Sequence, residues 1–299
     1  MRIVSLLPSA TEIVCALGAG AELVGRSEEC DYPPEVRALP VVMRARTIDA
    51  NGSSAAIDHR VRESRAAGES LYTLEVDRLR TLHPELLLTQ DLCGVCSVTG
   101  DQVAAACSAA GIRPSILSVS PRTLEEVWQS IERIGAAIGK SDIAERLATR
   151  LRERSAPGGP RGRGRVAVVE WLDPPILAGL WTPSMIRAAG AEPLGPPPGE
   201  DGRRTSWADL AELAPDLVVL SPCSFPIERS LAELRDGPLG RAVGSLPRTT
   251  RVWVADEAYF SRPGPRLADG VALLDGLLGG APRAYPMPAV RWTPPEVAA

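Results

Sequence analysis

Short apolar runs alternate with stretches of helical periodicity through the first 120 residues. Residues 2–7 form an apolar run stopped by Pro8, which predicts a strand. Residues 9–17 carry Ile13, Val14 and Leu17 on one face and end at Gly18, which predicts a helix. A short strand follows at 22–25. Cys30-Asp31-Tyr32-Pro33-Pro34 then reads as a turn, because consecutive prolines exclude helix there. The spacing predicts helices at 53–67, with Ile57 and Val61 inward, at 75–82, and at 101–110 before Gly111. It predicts strands at 85–89 and 115–119. Such alternation implies a parallel sheet covered on both faces.

The pattern changes at 123–154, which holds no proline. Thr123 and Glu126 form a capping box, and Leu124, Val127, Ile131, Ile134 and Ile138 keep helical spacing. Ser141 and Asp142 mark a break or kink near Gly139. A helix of about 30 residues spans about 45 Å, the reach of a rigid connector between two lobes. After a Gly-, Pro- and Arg-rich loop at 155–165, strands are expected at 165–170, 216–220 and 251–255. Helices are expected at 183–189, 206–213 and 265–278, with an irregular loop at 193–204. The halves echo each other: Pro84-Glu85-Leu86-Leu87-Leu88 resembles Pro215-Asp216-Leu217-Val218-Val219. The expected fold is α/β, with two Rossmann-like lobes joined by one long backbone helix and a ligand cleft between the lobes. The lobes fall at 1–121 and 156–280, the helix at 122–155, and a Pro-rich surface tail at 281–299.

Composition narrows the function. The 299 residues are 44% hydrophobic and 23% charged, ordinary for a globular chain. A net charge of −4 provides no broad basic field, so no nucleic-acid partner is expected. No apolar run reaches 18 residues, so no membrane span is expected. Pro8, Ser9, Thr11 and Glu12 interrupt the first apolar stretch, unlike the core of a signal peptide, which predicts a cytoplasmic protein. Lys140 is the only lysine, and the chain has 2 histidines. GxSxG, P-loop and HExxH motifs are absent. A monomeric, non-catalytic binder is the expectation.

Ligands of open α/β sheets sit beyond the carboxyl ends of the strands. Those positions hold Glu29, Cys30 and Tyr32; Gln90, Asp91, Cys93 and Cys96; Trp171 and Trp181; Ser221 and Cys223; and Tyr259, Phe260 and Arg262. Tryptophan is the commonest aromatic, at 6 residues against 4 Tyr and 2 Phe, and this rim suits a large, flat, partly apolar ligand. Cys93-Gly94-Val95-Cys96 has the spacing of a metal clip or a redox pair. With Cys30 as a third ligand, it is the alternative site, for zinc or iron. Cys15 and Cys107 lie in apolar helical stretches and read as inert buried thiols.

Residues 3–12 (IVSLLPSATE), Leu23-Val24-Gly25-Arg26-Ser27, Asp31-Tyr32-Pro33-Pro34 and Arg262-Pro263-Gly264-Pro265-Arg266 resemble the helical-backbone substrate-binding proteins of ABC importers. The order and spacing of these motifs, over about residues 2–280, are most similar to the cobalamin-binding branch. The resemblance implies a corrinoid as ligand and an importer permease as partner. Glu29 and Gln90 stand where that branch carries Tyr and Trp on its ligand. The permease-docking positions resemble Gly100 and Ala208, with Asp101 and Asp209 one residue on. The ligand set implied is Glu29, Cys30, Tyr32, Gln90, Trp171, Trp181, Tyr259, Phe260 and Arg262, with Cys30, Cys93 and Cys96 near the metal.

Overall fold

A computed structural model of the chain describes residues 1–46, 52–91, 99–156, 161–235, 237–279 and 289–294. They divide into two compact units. The first takes Met1–Gly52, His59–Pro121 and Glu126–Leu151; the second takes Ser53–Asp58, Arg122–Glu125 and Arg152–Ala299.

The first unit begins with β1 (Ile3–Ser5), α1 (Pro8–Ala16), β2 (Leu23–Ser27) and β3 (Val41–Ala45). After α2 (Ser54–Ala66), it continues with β4 (Tyr72–Leu74), α3 (Val76–Leu82), β5 (Leu86–Thr89), α4 (Gly100–Ala109) and β6 (Ser115–Ser118). The sheet order is β4-β3-β2-β1-β5-β6, parallel except for β4. The chain starts mid-sheet, winds outward through β2 and β3, and returns past β1 to β5. The winding direction therefore reverses between β1 and β5, where such sheets bind ligands. Val4, Leu6, Val42, Leu79, Leu87 and Val103 form the core of this unit. Helix α2 departs from expectation: it buries Ser54 and Asp58, not Ile57 and Val61.

Residues 122–155, expected as one connecting helix with a break near Gly139, form two helices, α5 (Leu124–Ala137) and α6 (Ser141–Arg154). Gly139 stops α5 at φ +69°. The Lys140 N–H donates to the Gly135 carbonyl at 2.7 Å and the Gly139 N–H to that of Ala136 at 3.3 Å, the paired bonds of a Schellman turn. The second helix folds back along the first. Arg152 reaches Glu125, 27 positions earlier, at 2.6 Å, and a Cβ on Gly135 would lie 2.2 Å from that of Ala144. A continuous rod would hold Gly135 and Ala144 about 13 Å apart.

The second unit contains β7 (Arg165–Leu172), β8 (Pro175–Leu177), α7 (Thr182–Ala188), β9 (Glu192–Pro193), β10 (Arg203–Arg204) and α8 (Trp207–Glu212). It continues with β11 (Leu217–Leu220), α9 (Ile227–Arg235), α10 (Pro238–Gly244), β12 (Arg251–Ala255), α11 (Leu267–Leu278) and β13 (Ala289–Trp292). The sheet order is β10-β8-β7-β11-β12-β13, with β9 on β7. Strands β7, β11 and β12 are parallel and buried through their middles, which explains the apolar runs Val166–Val169, Leu217–Leu220 and Val252–Ala255. Part of the expected tail instead pairs antiparallel with β12 as β13, burying Trp292.

Candidate functional site

In the first unit, Arg26 builds the segment after β2. Its Nη1 donates to the carbonyls of Ser27, Glu28 and Cys30 at 3.0–3.1 Å, and Nη2 to that of Arg37 at 3.0 Å. This folds residues 27–37 into a tight loop that ends in a 3-10 turn, Pro34–Ala38. The loop leaves Tyr32 47% exposed and Glu29 half-buried. Cys30 points the other way. It is fully buried, with the Thr11 hydroxyl donating to its Sγ at 3.0 Å, so it is withdrawn from both the ligand set and the metal set. After β5, Gln90 is half-buried. Asp91 accepts from the Gly100 N–H at 2.8 Å and from the Ser118 hydroxyl, which ties the strand end to α4.

In the second unit, the carboxyl ends of β7 and β12 carry the expected aromatics, but only some face outward. Trp171 is half-buried, with its ring edge-on to Phe225 at 5.2 Å between centroids. The Arg229 guanidinium lies 3.6 Å over Phe225. Tyr259 is half-buried beneath the Arg266 guanidinium, 5.8 Å from its ring centre. Trp181 and Phe260 are core residues, 6% and 3% exposed, and the Trp181 indole N–H donates to the Phe260 carbonyl at 2.6 Å. Both leave the expected ligand set: Trp181 heads α7 with its ring turned inward, where burial and a satisfied N–H fix it. Arg262 is committed to Glu257 through Nε at 2.9 Å and Nη2 at 2.8 Å, with both side chains nearly buried. Burial pushes the Glu257 carboxyl above its ordinary pKa despite the opposing pull of Arg262.

The second unit also holds a cluster absent from the expected set. Ser54 and Asp58, from the first part of α2, meet Trp171, Glu233 and Arg204. The residues of the segment after Ser221 that form α9 carried no predicted element. The Ser53-Ser54 capping signal and the Arg203-Arg204 pair were the available clues.

Burial pushes the thiols of Cys15 and Cys107 up, so they stay protonated and inert. Cys223 is exposed. Cys93 and Cys96 lie outside the described residues. Among the described residues, no group of three His, Cys, Asp or Glu is placed to hold a metal, and no helix is long and apolar enough to cross a membrane. Asp101 and Asp209 are exposed in the first turns of α4 and α8, which are capped by Thr99 and Ser206.

No family model matches the chain. It is 30% identical over 156 residues to the vitamin B12-binding protein of Photorhabdus laumondii, covering 52% of this chain and 45% of that protein, less than half its length. It is 21% identical over 276 residues to the vitamin B12-binding protein of Vibrio cholerae, covering 90% of this chain and 86% of the relative. It is 25% identical over 286 residues to an ABC transporter substrate-binding lipoprotein of Bacillus subtilis, covering 90% and 77%. Among solved structures, a periplasmic haem-binding protein of Pseudomonas aeruginosa aligns with a TM-score of 0.66 at 23% identity, over 94% of both chains. The periplasmic vitamin B12-binding protein of Vibrio cholerae aligns with a TM-score of 0.59 at 20% identity, over 93% and 96%. These matches agree with the expected two-lobed α/β class. They overturn the cytoplasmic location expected from the amino-terminal pattern, since the matched proteins are periplasmic or a lipoprotein.

Proposed function

We propose that this chain, a non-catalytic substrate-binding protein of the helical-backbone ABC-importer class, holds a cobalamin-like corrinoid. The observation that carries the reading is the likeness to vitamin B12-binding proteins, which extends over 90% of the chain. Trp171 and Tyr259 are the half-buried aromatics left at the strand ends of the second unit, and they supply apolar faces for a flat macrocycle. Glu29, Tyr32 and Gln90 serve as the contacts from the first unit. Asp101 and Asp209 serve as charged docking points for an importer permease. Reversing both to lysine is expected to lower uptake into permease-bearing vesicles while ligand affinity stays the same.

Haem is the second reading. Arg229, 3.6 Å over the Phe225 ring, and Arg266, 5.8 Å from the Tyr259 ring centre, are cations of the kind that pair with carboxylates, which favours this reading. The test is a calorimetric and visible-absorption titration of the purified chain with hydroxocobalamin and, separately, hemin. Saturable one-to-one binding of hydroxocobalamin is expected, weakened in Trp171→Ala by about 1–3 kcal/mol. Tight hemin binding without hydroxocobalamin binding would replace the first reading by the second. Binding of neither at tens of micromolar would remove both.

A further inference from the structure

The loop at 27–37 presents an exposed ring on a stretch of chain that is pinned from several sides. Arg26 supplies the largest share of the pins. Its Nη1 donates to the carbonyls of Ser27, Glu28 and Cys30 at 3.0, 3.1 and 3.1 Å, and its Nη2 to that of Arg37 at 3.0 Å. Its backbone N–H donates to the Pro40 carbonyl at 3.0 Å, so one residue brackets the loop with side chain and main chain. Arg37 carries the grip onward. Its Nε donates at 3.1 Å to the carbonyl of Asp31, the residue before Tyr32. Beyond Tyr32, the Val36 N–H donates to the Pro33 carbonyl at 3.0 Å. Among the described residues no carboxylate pairs with Arg26, and its Nε is buried without a partner. The guanidinium therefore serves main-chain carbonyls alone. A planar fork collects acceptors on two arms, which the single ammonium of a lysine does not.

We infer that Arg26 is a positioning residue: its fork holds the 27–37 loop in the shape that offers Tyr32 to the ligand before the ligand arrives. The inference rests on the macrocycle reading of the preceding section, which takes Tyr32 as a contact. Tyr32 is 47% exposed, so the backbone beneath it has a large part in placing the ring. A loop ordered in advance spares the ligand the entropy of ordering it. Without the fork, only a fraction of molecules hold that shape at any moment, and apparent affinity falls with the fraction. Arg26 thus acts on the ligand only through Tyr32 and its loop.

The test uses the full chain. Arg26→Ala and Arg26→Lys are made in wild type and in Tyr32→Ala, and every protein is titrated with hydroxocobalamin and with hemin. Hydrogen exchange at the Cys30 and Val36 amides reports the loop, and exchange in β1 and β5 reports the fold. Arg26→Ala is expected to speed loop exchange at least tenfold, with β1 and β5 still protected, and to weaken binding of the probe roughly tenfold. In the Tyr32→Ala background the same change should weaken binding by less than about threefold, because the ring it positions is gone. Arg26→Lys keeps the charge and loses the fork, and its affinity should match that of Arg26→Ala within about threefold. Equal weakening in both backgrounds, unchanged loop exchange in Arg26→Ala, or full rescue by lysine would each overturn the positioning role and leave the macrocycle reading standing. Binding of neither probe by wild type would fail the macrocycle reading and take the role of Arg26 with it. If Arg26→Ala loses protection in β1, Arg26→Gln replaces it and is held to the same outcomes.

Discussion

The folding-back at Gly139 makes a prediction whose sign depends on it. Gly135 is buried in the interior of α5, and in a straight helix its replacement by alanine stabilises by about 1 kcal/mol. Here a Cβ at 135 would lie 2.2 Å from the Ala144 Cβ, more than an ångström inside ordinary contact, and Ala144 is fully buried. Parting two packed helices by that much costs about 1–3 kcal/mol. The clash offsets and exceeds the propensity gain, so Gly135→Ala is expected to destabilise by up to about 2 kcal/mol. Ala144→Gly alone costs about 1 kcal/mol through helix propensity. The double substitution restores the small residue on the other side of the contact. Urea unfolding of all four proteins closes the cycle, and a coupling energy above about 1 kcal/mol is expected, the size found for residues in contact. A Gly135→Ala protein more stable than wild type, with effects additive within about 0.5 kcal/mol, would refute the hairpin and restore a continuous rod.

Three further outcomes follow from the geometry. Trp181→Ala is expected to cost about 3–5 kcal/mol of stability by urea unfolding, with ligand affinity of the folded protein within about threefold of wild type; loss of binding at unchanged stability would return Trp181 to the site. Glu257 has a folded-state pKa above its unfolded value, so the folded state holds more protons between the two and stability falls as pH rises through that window. The wild-type advantage over Glu257→Gln should therefore shrink from about pH 4.3 upward, and an advantage that grows with pH would contradict this. Arg163, which donates to the Ala189 carbonyl at 3.1 Å and to the Asp275 carbonyl at 2.9 Å, ties the amino end of β7 to α7 and α11. Arg163→Ala is expected to cost about 2–3 kcal/mol, and an unchanged urea midpoint would show that tie to be idle.

Periodicity made most of the scaffold legible, because β5, β11, α1 and α11 are long or uniformly apolar and decide their own conformation. Strands β8, β9, β10 and β13 were hidden. Two to four residues carry no period, and these exist only because a neighbouring strand offers them partners. The buried face of α2 was misassigned for a different reason: hydropathy cannot see that Glu233 and Arg204 await Ser54 and Asp58. The strand-end rule singled out Trp171, Trp181, Tyr259 and Phe260, of which Trp181 and Phe260 meet through the indole hydrogen bond. It could not tell an outward ring from an inward one, since that depends on backbone direction at the head of α7 and after β12. Cys30 was misjudged likewise, as a thiol in a loop that turns inward under Thr11.

With Trp181 and Phe260 assigned to the interior, the ligand groups proposed for the second unit reduce to the Trp171 and Tyr259 rings, with Arg266 over Tyr259 and Arg229 over Phe225. That reduction separates the two ligand readings more sharply than the fold does. A corrinoid presents mostly neutral amide arms, so its binding would draw on the faces of Trp171 and Tyr259 and respond weakly to salt. Haem presents two carboxylates, and Arg229 and Arg266 would supply part of its affinity by charge. Screening shortens from about 10 Å at 0.1 M salt to about 3 Å at 1 M, so a haem complex at this partly open face should loosen severalfold across that range. A corrinoid complex held by apolar contact should hold or tighten. Salt dependence thus reports which groups carry the ligand even before the ligand's identity is settled. Arg229→Gln/Arg266→Gln should remove most of that dependence for haem, and Arg266→Gln alone about half of it.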